Sequence, residues 1–334
     1  MYELIGLPAS PYSIKLRAIL RYRRIPHIWT MLLPEASARA FNVRPVMLPI
    51  LCAPDGGEHI DSTSIALMLE DRLPDMRSIL PADPAMRFLC LLIEDFCDEW
   101  LAKLMYHYRW SFDEGAAMAS RWLANDLRPA APADARAATA AVMRRRQIDR
   151  LAMVGCREEH APLFERDYRA VLALLSAHLA RTPFLFGARP SLADFALFGQ
   201  LSQLAIDPVP RRIMEAEAQD VADWVRRMDD LSGWTGTAWD DGAIDNAAVQ
   251  SLLALAADHY LPYLTANELA LAAGHGTLNL DIGGVAFAQP VFAFHRKCAQ
   301  RLRALWAALP ARAKATLDPM LSRAAMRDWL EAAA

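Results

Sequence analysis

The chain has 334 residues, and 54% of them are hydrophobic. This length exceeds that of most single compact domains and predicts two domains or a domain with an extension. The formal net charge of -3 and the pI near 6.3 give no basic field that would attract nucleic acid. No apolar run approaches the roughly 18 to 20 residues of a membrane span, and the first residues lack signal-peptide features. We therefore expect a cytoplasmic protein that engages neither nucleic acid nor membrane.

Residues 1–80 alternate short strand-like runs with helical runs, and they predict one small α/β domain. The predicted strands are "YELIGL", "HIWTMLL", "LPILCA" and "EHID", the last two joined by the turn signal "DGG". Helices are predicted at 12–24 and 63–72, and a short polar segment lies around 35–41. The resulting order is β-α-β-α-β-β-α.

From about residue 84 the hydrophobic period becomes helical. Apolar residues at steps of three and four over 89–108 predict one long amphipathic helix. Two alanine-rich helices with a proline turn are predicted within 113–150, and further helices at 164–179 and 221–228. The run 191–206 carries no charge after Asp194, so a helix buried on all sides is expected there.

A further segment follows about residue 235. It predicts a helix at 249–260, a small hairpin in the alternating run "TLNLDIGGVAF", and a long helix at 291–309. The predicted domains are an α/β domain at 1–80, an all-helical domain at 84–235, and a mostly helical extension at 236–334 that packs on the helical domain.

The cysteines and histidines indicate no metal site. Five cysteines are odd in number, widely spaced and without a C-x-x-C pair, which predicts reduced, mostly buried thiols. The histidines at 259, 275 and 295 show no ligand spacing and are expected at the surface or in packing.

Three local patterns occur in order within residues 1–230. A strand is followed by "SPYS" at 10–13 and a basic helix; then comes "MLPILCAPDGGEHIDSTSI", and later "FGARPSLADFALF". They resemble, in turn, the active-site loop, the V-P-x-L strand with its acidic-Ser-x-x-Ile turn, and the S/T-x-x-D capping box of glutathione transferases. The resemblance implies a thioredoxin-like α/β domain that binds glutathione, followed by an all-α domain.

The chemistry of this family explains a serine before a helix. A glutathione thiol with a pKa of ~8.5 is only a few per cent thiolate at pH 7, and lowering the pKa by ~2 units makes the thiolate dominant. A hydroxyl at a helix N-terminus can do this by donating a hydrogen bond where the helix dipole favours negative charge. The resemblance gives this role to Ser10, with Ser13 one turn later as the fallback. The alternative is that either serine only caps the helix.

The second pattern implies the contacts that hold glutathione. Pro49 occupies the position of the family's cis-proline, so the backbone of Leu48 is expected to pair with the cysteinyl part. Ser62 is expected to take the γ-glutamyl carboxylate at a helix start, with Asp61 supporting the α-amino side. N-capping by these two residues is compatible with that role.

One position departs from the family pattern. Many relatives carry a lysine just before the V-P dipeptide to grip the glycyl carboxylate, and this chain has Met47 there. Arg44 is the candidate substitute. The departure keeps open a non-catalytic binding or scaffold protein on the same fold.

The helix after the linker is expected to border the electrophile pocket. Trp100 and Tyr108 are the predicted pocket residues, with His107 or Arg109 supplying polarity. The alternative interpretation is that these aromatics belong to the core and that Asp95 and Glu99 form an exposed acidic face.

The sequence thus predicts a glutathione-transferase-like enzyme, homodimeric by family analogy, that conjugates the glutathione thiolate to a small hydrophobic electrophile. A glutathione-dependent reductase or lyase is the first alternative. The absence of cysteine at positions 10 and 13 counts against a version that forms a disulfide. Ser191 and Asp194 match the capping box and are interpreted as structural.

Overall fold

The computed structural model describes residues 1–31, 41–74 and 77–332. The strands are β1 (Tyr2–Gly6), β2 (His27–Met31), β3 (Ile50–Cys52), β4 (Glu58–Ile60), β5 (Thr277–Ile282) and β6 (Val285–Pro290). The helices before the extension are α1 (Pro11–Tyr22), α2 (Ser62–Arg72), α3 (Pro84–Glu99), α4 (Leu101–Trp110), α5 (Asp113–Leu127), α6 (Ala133–Ile148), α7 (Ala161–Leu179), α8 (Leu192–Leu204), α9 (Pro208–Glu217) and α10 (Gln219–Met228). Those of the extension are α11 (Ala247–Leu255), α12 (Leu261–Ala272), α13 (Ala293–Ala307), α14 (Ala311–Arg323) and α15 (Arg327–Glu331).

The N-terminal part forms a four-stranded sheet in the order β2-β1-β3-β4. Strand β1 is parallel to β2 and antiparallel to β3, and β3 is antiparallel to β4. This is the thioredoxin-like arrangement that the sequence predicted, with each described element within a few residues of its expected ends. The short segment predicted around 35–41 lies outside the described residues except for residue 41.

Consecutive strand residues point to opposite faces of this sheet, and both faces are buried. Leu4 and Leu51 pack with the apolar sides of α1 and α2. Ile5 and Ile50, the next residues along, belong to a second cluster that includes Phe41. Full burial of such a side chain stabilises the fold by about 1.5–3 kcal/mol, so the consecutive apolar residues of β1 and β3 favour the centre of the sheet.

A buried ion pair lies at the C-terminal ends of α1 and α2. The Arg23 guanidinium is fully buried and lies 2.9 Å from Glu70 Oε1, and it also donates to the Leu73 carbonyl oxygen at 2.6 Å. Glu70 in turn accepts from the Ser78 hydroxyl and, at 3.2 Å, from the Ile79 N–H. The pair therefore joins the C-terminal end of α1 to the segment that follows α2.

Removing one partner of this pair leaves the other charge buried and unpaired. We expect Glu70→Ala to reduce the free energy of unfolding by about 3–5 kcal/mol, measured by urea denaturation. The matched control is Arg72→Ala, which breaks the exposed ion pair to Asp55 in the same domain and should cost far less. Equal losses in the two variants would contradict this view of the Arg23–Glu70 pair.

The prediction of one long helix over 89–108 was wrong. The structure has two helices, α3 and α4, separated at Trp100. There the Lys103 N–H donates to the Trp100 carbonyl oxygen at 3.0 Å, a tighter i→i+3 turn that hydrophobic periodicity does not reveal. By contrast, α8 is buried along its whole length as predicted, and α5 and α6 are the two expected alanine-rich helices.

The extension contains the predicted hairpin β5–β6, whose turn residues Gly283 and Gly284 have φ of 58° and 80°. A turn with positive φ at both central residues favours glycine at both positions. The predicted helix at 249–260 is α11 followed by a π-helical turn, Ala256–Tyr260, that continues into α12. Helix α13 was predicted, whereas α14 and α15 were not.

The described chain divides into two compact units. The first unit comprises Met1–Ile79, Tyr108–Asp149 and Phe195–Gly236; the second comprises Leu80–His107, Arg150–Asp194 and Thr237–Ala334. The domain boundaries given from the sequence, 1–80, 84–235 and 236–334, stay a prediction.

The acidic face predicted at Asp95 and Glu99 is not exposed in the second unit. Asp95 is fully buried, accepts a hydrogen bond from the Tyr260 hydroxyl at 2.6 Å and pairs with Arg301. Glu99 lies 3.2 Å from His295 Nε2. That prediction was wrong because the partners come from the extension, whose position the sequence does not give.

Lys103 is a further buried charge in the second unit. Its ammonium donates to the Val154 carbonyl oxygen at 3.0 Å and to Gln289 Oε1 at 2.6 Å, and lies 4.6 Å from the centre of the Tyr263 ring. Burial lowers the pKa of Lys103 from 10.5 to about 8, because the charged form loses its hydration.

Because of this lowered pKa, Lys103 makes the free energy of unfolding depend on pH in the alkaline range. Between pH 8 and 10.5 the unfolded chain keeps a proton that folded Lys103 has lost, so Lys103 contributes a part of the free energy of unfolding that rises with pH by up to about 1.4 kcal/mol per pH unit. Burial raises the pKa of the Cys90 and Cys156 thiols, which act in the opposite direction above about pH 9, so the rise due to Lys103 is measured as the difference between wild type and variant. We expect Lys103→Met to lose this rise, whatever its stability at neutral pH, while the control Lys314→Met keeps it. Parallel pH curves for wild type and Lys103→Met would contradict the assignment.

Candidate functional site

The loop between β1 and α1 places Ser10 at the N-cap of α1. The Ser10 N–H donates to the Leu7 carbonyl oxygen at 3.0 Å, which closes a turn after the strand. Ser10 has an extended backbone (φ -102°, ψ 116°), and its hydroxyl accepts from the Ser13 N–H at 3.3 Å. Pro11 follows at the first helical position, where its missing N–H costs nothing.

Capping does not use up the hydroxyl of Ser10. A serine hydroxyl has one donor proton and two acceptor positions, and the cap uses one acceptor position. The side chain is partly exposed, and the positive end of the α1 dipole favours an anion at this point. Ser10 can therefore cap the helix and donate to a bound anion at the same time.

Ser13 has a different environment. It is fully buried, and its hydroxyl accepts from the Leu7 N–H at 3.5 Å, so it joins the first turn of α1 to the end of β1. Gly6 makes room for it, because a Cβ at position 6 would lie 2.7 Å from Ser13 Oγ and 2.7 Å from the Trp29 ring. The contact of Ser13 with a ligand stays a prediction, and the structure gives it a supporting position.

Adding a methyl group at Gly6 should displace Ser13 or the Trp29 ring. We expect Gly6→Ala to lower the free energy of unfolding by about 1–3 kcal/mol, the usual cost of overpacking, as measured by urea denaturation. Gly233→Ala is the control in the same unit, since a Cβ there would meet no atom within 4 Å. A Gly6→Ala protein as stable as the control would show that this contact does not matter.

The segment before β3 has the expected proline geometry. The Leu48–Pro49 peptide bond is cis, Pro49 is buried, and Leu48 packs beside the cluster of Ile5 and Ile50. Arg44 donates to the carbonyl oxygens of Phe41 and Val43, so its guanidinium is engaged by its own loop. Both contacts use Nη1, so they do not occupy the Nε and Nη2 donors of Arg44.

The N-terminus of α2 is capped by Asp61. Its Oδ1 accepts from the N–H groups of Thr63 and Ser64, both at 3.0 Å. Asp61 has φ of 72°, a left-handed conformation that costs a non-glycine residue on the order of 1–3 kcal/mol and that clusters at ligand sites. Ser62 is buried beside it, 5% exposed, at the first helical position.

A buried lysine lies behind this helix start. Lys15 is fully buried in α1, and its ammonium donates to the Thr63 hydroxyl at 3.4 Å. The sequence marked α1 only as a basic helix and gave no signal that this one cation faces inward.

Arg109 contacts the loop that precedes Ser10, and the sequence did not indicate these contacts. Its Nε lies 3.1 and 2.8 Å from the two carboxylate oxygens of Asp207, its Nη1 donates to the Ala9 carbonyl oxygen at 2.9 Å, and its Nη2 donates to Gln203 Oε1 at 2.8 Å. Gln203 Nε2 donates to the Pro8 carbonyl oxygen at 3.1 Å. Both residues of the loop that precede Ser10 are therefore held by side chains.

The Arg109–Asp207 ion pair is buried on both sides, with side-chain exposures of 3% and 0%. Burial raises the pKa of the Asp207 carboxyl, and the Arg109 guanidinium opposes that rise. The sequence offered Arg109 as a source of polarity, but Gln203 and Asp207 carried no signal beyond their place at the end of an apolar helix.

The two predicted pocket aromatics are both buried. Trp100 belongs to the second unit, where its indole N–H donates to Asp167 Oδ2 at 2.9 Å and its ring packs against Tyr263 and Phe287. Tyr108 belongs to the first unit, is 1% exposed and stacks on Phe112. The alternative that they are core residues accounts for both side chains, and a role in binding an electrophile stays a prediction.

The capping box is present in the second unit. The Ser191 hydroxyl donates to Asp194 Oδ2 at 2.6 Å, and the N–H groups of Ser191 and Leu185 donate to the same carboxylate at 2.8 and 2.9 Å. Ser191 Oγ also accepts from the Asp194 N–H at 3.4 Å, so the two residues form a structural capping box at the start of α8, as interpreted from the sequence.

Comparison with known families decides what this fold is. Residues 4–77 match the glutathione S-transferase N-terminal domain, and residues 135–227 match the glutathione S-transferase C-terminal domain. The chain belongs to the glutathione S-transferase family. Its α/β thioredoxin-like domain, all-α domain and mostly helical extension agree with the fold class expected from the resemblance.

Several solved structures are similar to this glutathione S-transferase family member. A transferase from Methylobacterium radiotolerans, solved with glutathione sulfonate, is 21% identical over 72% of this chain and 96% of its own, with a TM-score of 0.41. The β-etherase LigF from Sphingobium is 17% identical over 75% and 98%, with a TM-score of 0.46. FzlA from C. crescentus is 20% identical over 73% and 98%, with a TM-score of 0.43.

No match was found among curated protein sequences. Of the helices in the described part of the chain, none is long and apolar enough to cross a bilayer. Over residues 1–31, 41–74 and 77–332, no group of three or more His, Cys, Asp or Glu side chains could hold a metal ion.

Proposed function

We propose that this family member is an enzyme that binds glutathione and transfers its thiolate to a small hydrophobic electrophile. The observation that supports this best is Ser10, a partly exposed N-cap whose donor proton lies outside the capping bond. The Ser10 hydroxyl donates this proton in a hydrogen bond to the glutathione sulfur. The bond stabilises the thiolate, together with the positive end of the α1 dipole. Ser13 supports the same turn from within.

Glutathione lies, in this proposal, along the ends of β3 and α2. The backbone of Leu48 before the cis-proline Pro49 pairs with the cysteinyl part. Ser62 at the start of α2 holds the γ-glutamyl carboxylate, and Asp61 contacts the α-amino group. Arg44 holds the glycyl carboxylate through its Nε and Nη2 donors, while Nη1 keeps its contacts within the loop.

The reaction is a displacement or an addition at an electrophilic carbon. The thiolate sulfur supplies the electron pair of the new S–C bond, and the leaving group departs with the pair of the bond that breaks. In an addition no group leaves. The electron pair of the electrophile's π bond moves onto its far atom, which takes a proton from water. The protein acts as a cytoplasmic homodimer in this proposal, with the domains 1–80, 84–235 and 236–334.

A second candidate function follows from one position. Met47 stands where many relatives have a carboxylate-binding lysine, and this residue, 53% exposed, has no charge to offer a carboxylate. These facts favour a protein that uses the transferase fold to bind a partner without catalysis. A glutathione-dependent reductase or lyase is the other alternative, and the absence of a thiol at positions 10 and 13 counts only against a version that forms a disulfide.

The role of Ser10 can be tested on bound glutathione. We expect wild type to bind reduced glutathione in calorimetry and to lower the pKa of its thiol, measured by ultraviolet absorbance of the thiolate. Ser10→Ala should raise that pKa again by about 1–2 units, which is about 1.4–2.7 kcal/mol of lost thiolate stabilisation. Ser10→Thr keeps the hydroxyl and should retain much of the effect.

The control is Ser232→Ala, which removes a serine hydroxyl elsewhere in the first unit and should change neither the affinity nor the thiol pKa. Absence of heat with several millimolar glutathione would reject the enzyme and favour the non-catalytic candidate. Binding with an unchanged thiol pKa in Ser10→Ala would retain glutathione as a ligand but remove Ser10 from the chemistry.

A further inference from the structure

The structure assigns Arg109 as the positioning residue of the Ser10 loop, an inference that rests on the proposed function. Arg109 comes from the end of α4, far from Ser10 in sequence, yet its guanidinium donates to the carbonyl oxygen of the residue just before Ser10. It does not touch the proposed ligand. Its effect passes through the backbone of the loop.

The peptide unit between Ala9 and Ser10 is held from both of its polar ends. Arg109 Nη1 donates to the Ala9 carbonyl oxygen at 2.9 Å, and the N–H of the same peptide, which belongs to Ser10, donates to the Leu7 carbonyl oxygen at 3.0 Å. Because a peptide unit is planar, two opposed hydrogen bonds fix the orientation of the whole plane. The position of the Ser10 Cα is fixed with it, and the bond from the Ser13 N–H to the Ser10 hydroxyl then orients the side chain.

The neighbouring peptide is held by the same cluster. Gln203 accepts from Arg109 Nη2 at 2.8 Å and donates to the Pro8 carbonyl oxygen at 3.1 Å, so one guanidinium controls two successive carbonyl groups. On the other side of Ser10, a Cβ at Gly199 of α8 would lie 3.0 Å from the Pro11 carbonyl oxygen. Helix α8 therefore packs directly against the first turn of α1 and leaves the loop little room to move.

Only an arginine satisfies all three partners. The guanidinium presents five N–H donors in a fixed plane, and here its three nitrogens reach Asp207, the loop and Gln203 separately. A lysine offers one nitrogen at a single point. Since Asp207 neutralises the charge of Arg109 at 2.8 Å, the pair acts on Ser10 by position rather than by a net field.

The test measures the thiol pKa of bound glutathione together with turnover of 1-chloro-2,4-dinitrobenzene, a small apolar electrophile, as the probe. We expect Arg109→Lys to raise the thiol pKa toward its free value by about one unit and to lower kcat about tenfold, with KM for glutathione changed less than about threefold. A role in stability alone would leave the thiol pKa and the pH profile of kcat unmoved.

Two further variants guard against misfolding. Arg109→Gln combined with Asp207→Asn removes both charges, so no unpaired ion stays buried, and Gln203→Met keeps the ion pair but loses the contact to Pro8. We expect the double variant to behave like Arg109→Lys and Gln203→Met to show a smaller shift in the same direction. Arg212→Gln is the matched control, because it breaks an exposed arginine–glutamate pair with Glu114 in the same unit.

The outcomes separate this inference from the proposed function. If wild type lowers the thiol pKa and the folded Arg109 variants lower it equally, Arg109 has no positioning role. If wild type binds no glutathione, the proposed function fails and this inference fails with it. A loss of the thiol shift in the control as well would also overturn the assignment, because the effect would not be specific to the loop.

Discussion

The N-terminus of α1 imposes the constraint on which the candidate site depends. The first N–H groups of a helix have no partner within it, and a helix end next to a buried sheet must find partners nearby. Here the hydroxyl of Ser10 takes one of these groups, and the turn to Leu7 brings the loop back over the end of β1. Gly6 must lack a side chain for Ser13 to fit beneath this turn. The same geometry that satisfies the helix also brings a hydroxyl group and a helix dipole to one partly exposed point.

Buried charged side chains fix the positions of the two ends of α1. Burying an ion pair gains little net stability over apolar residues, but breaking one is costly, so each pair selects one geometry over its neighbours. The Arg23–Glu70 pair fixes the far end of α1, and the Arg109–Asp207 pair stands behind its near end. Lys15 lies between the two ends and reaches Thr63 at the start of α2. Both ends of this helix are thus specified by polar contacts as well as by hydrophobic packing.

Sequence reasoning succeeded where the signal was local. The strands around Leu4 and Leu51, the turn at 55–57, the N-cap at Ser10 and the box at Ser191 follow from neighbours within a few residues. It failed where partners are distant in sequence. Arg301 and Tyr260 reach Asp95 across more than 160 residues, so an acid predicted at the surface is buried. Gln203 and Asp207 look unremarkable until the fold brings them to Arg109, and the turn at Trp100 changes helical hydrogen bonding without changing the apolar period.

The fixed peptide between Ala9 and Ser10 also has a consequence for the thermodynamics of ligand binding. Ordering the backbone of one residue costs roughly 1–2 kcal/mol of conformational entropy, and here the protein's own hydrogen bonds order the loop before any ligand arrives. That cost belongs to folding and is absent from the affinity. Affinity then becomes coupled to local stability: a substitution that frays the end of α8 would weaken binding without altering any atom that a ligand touches.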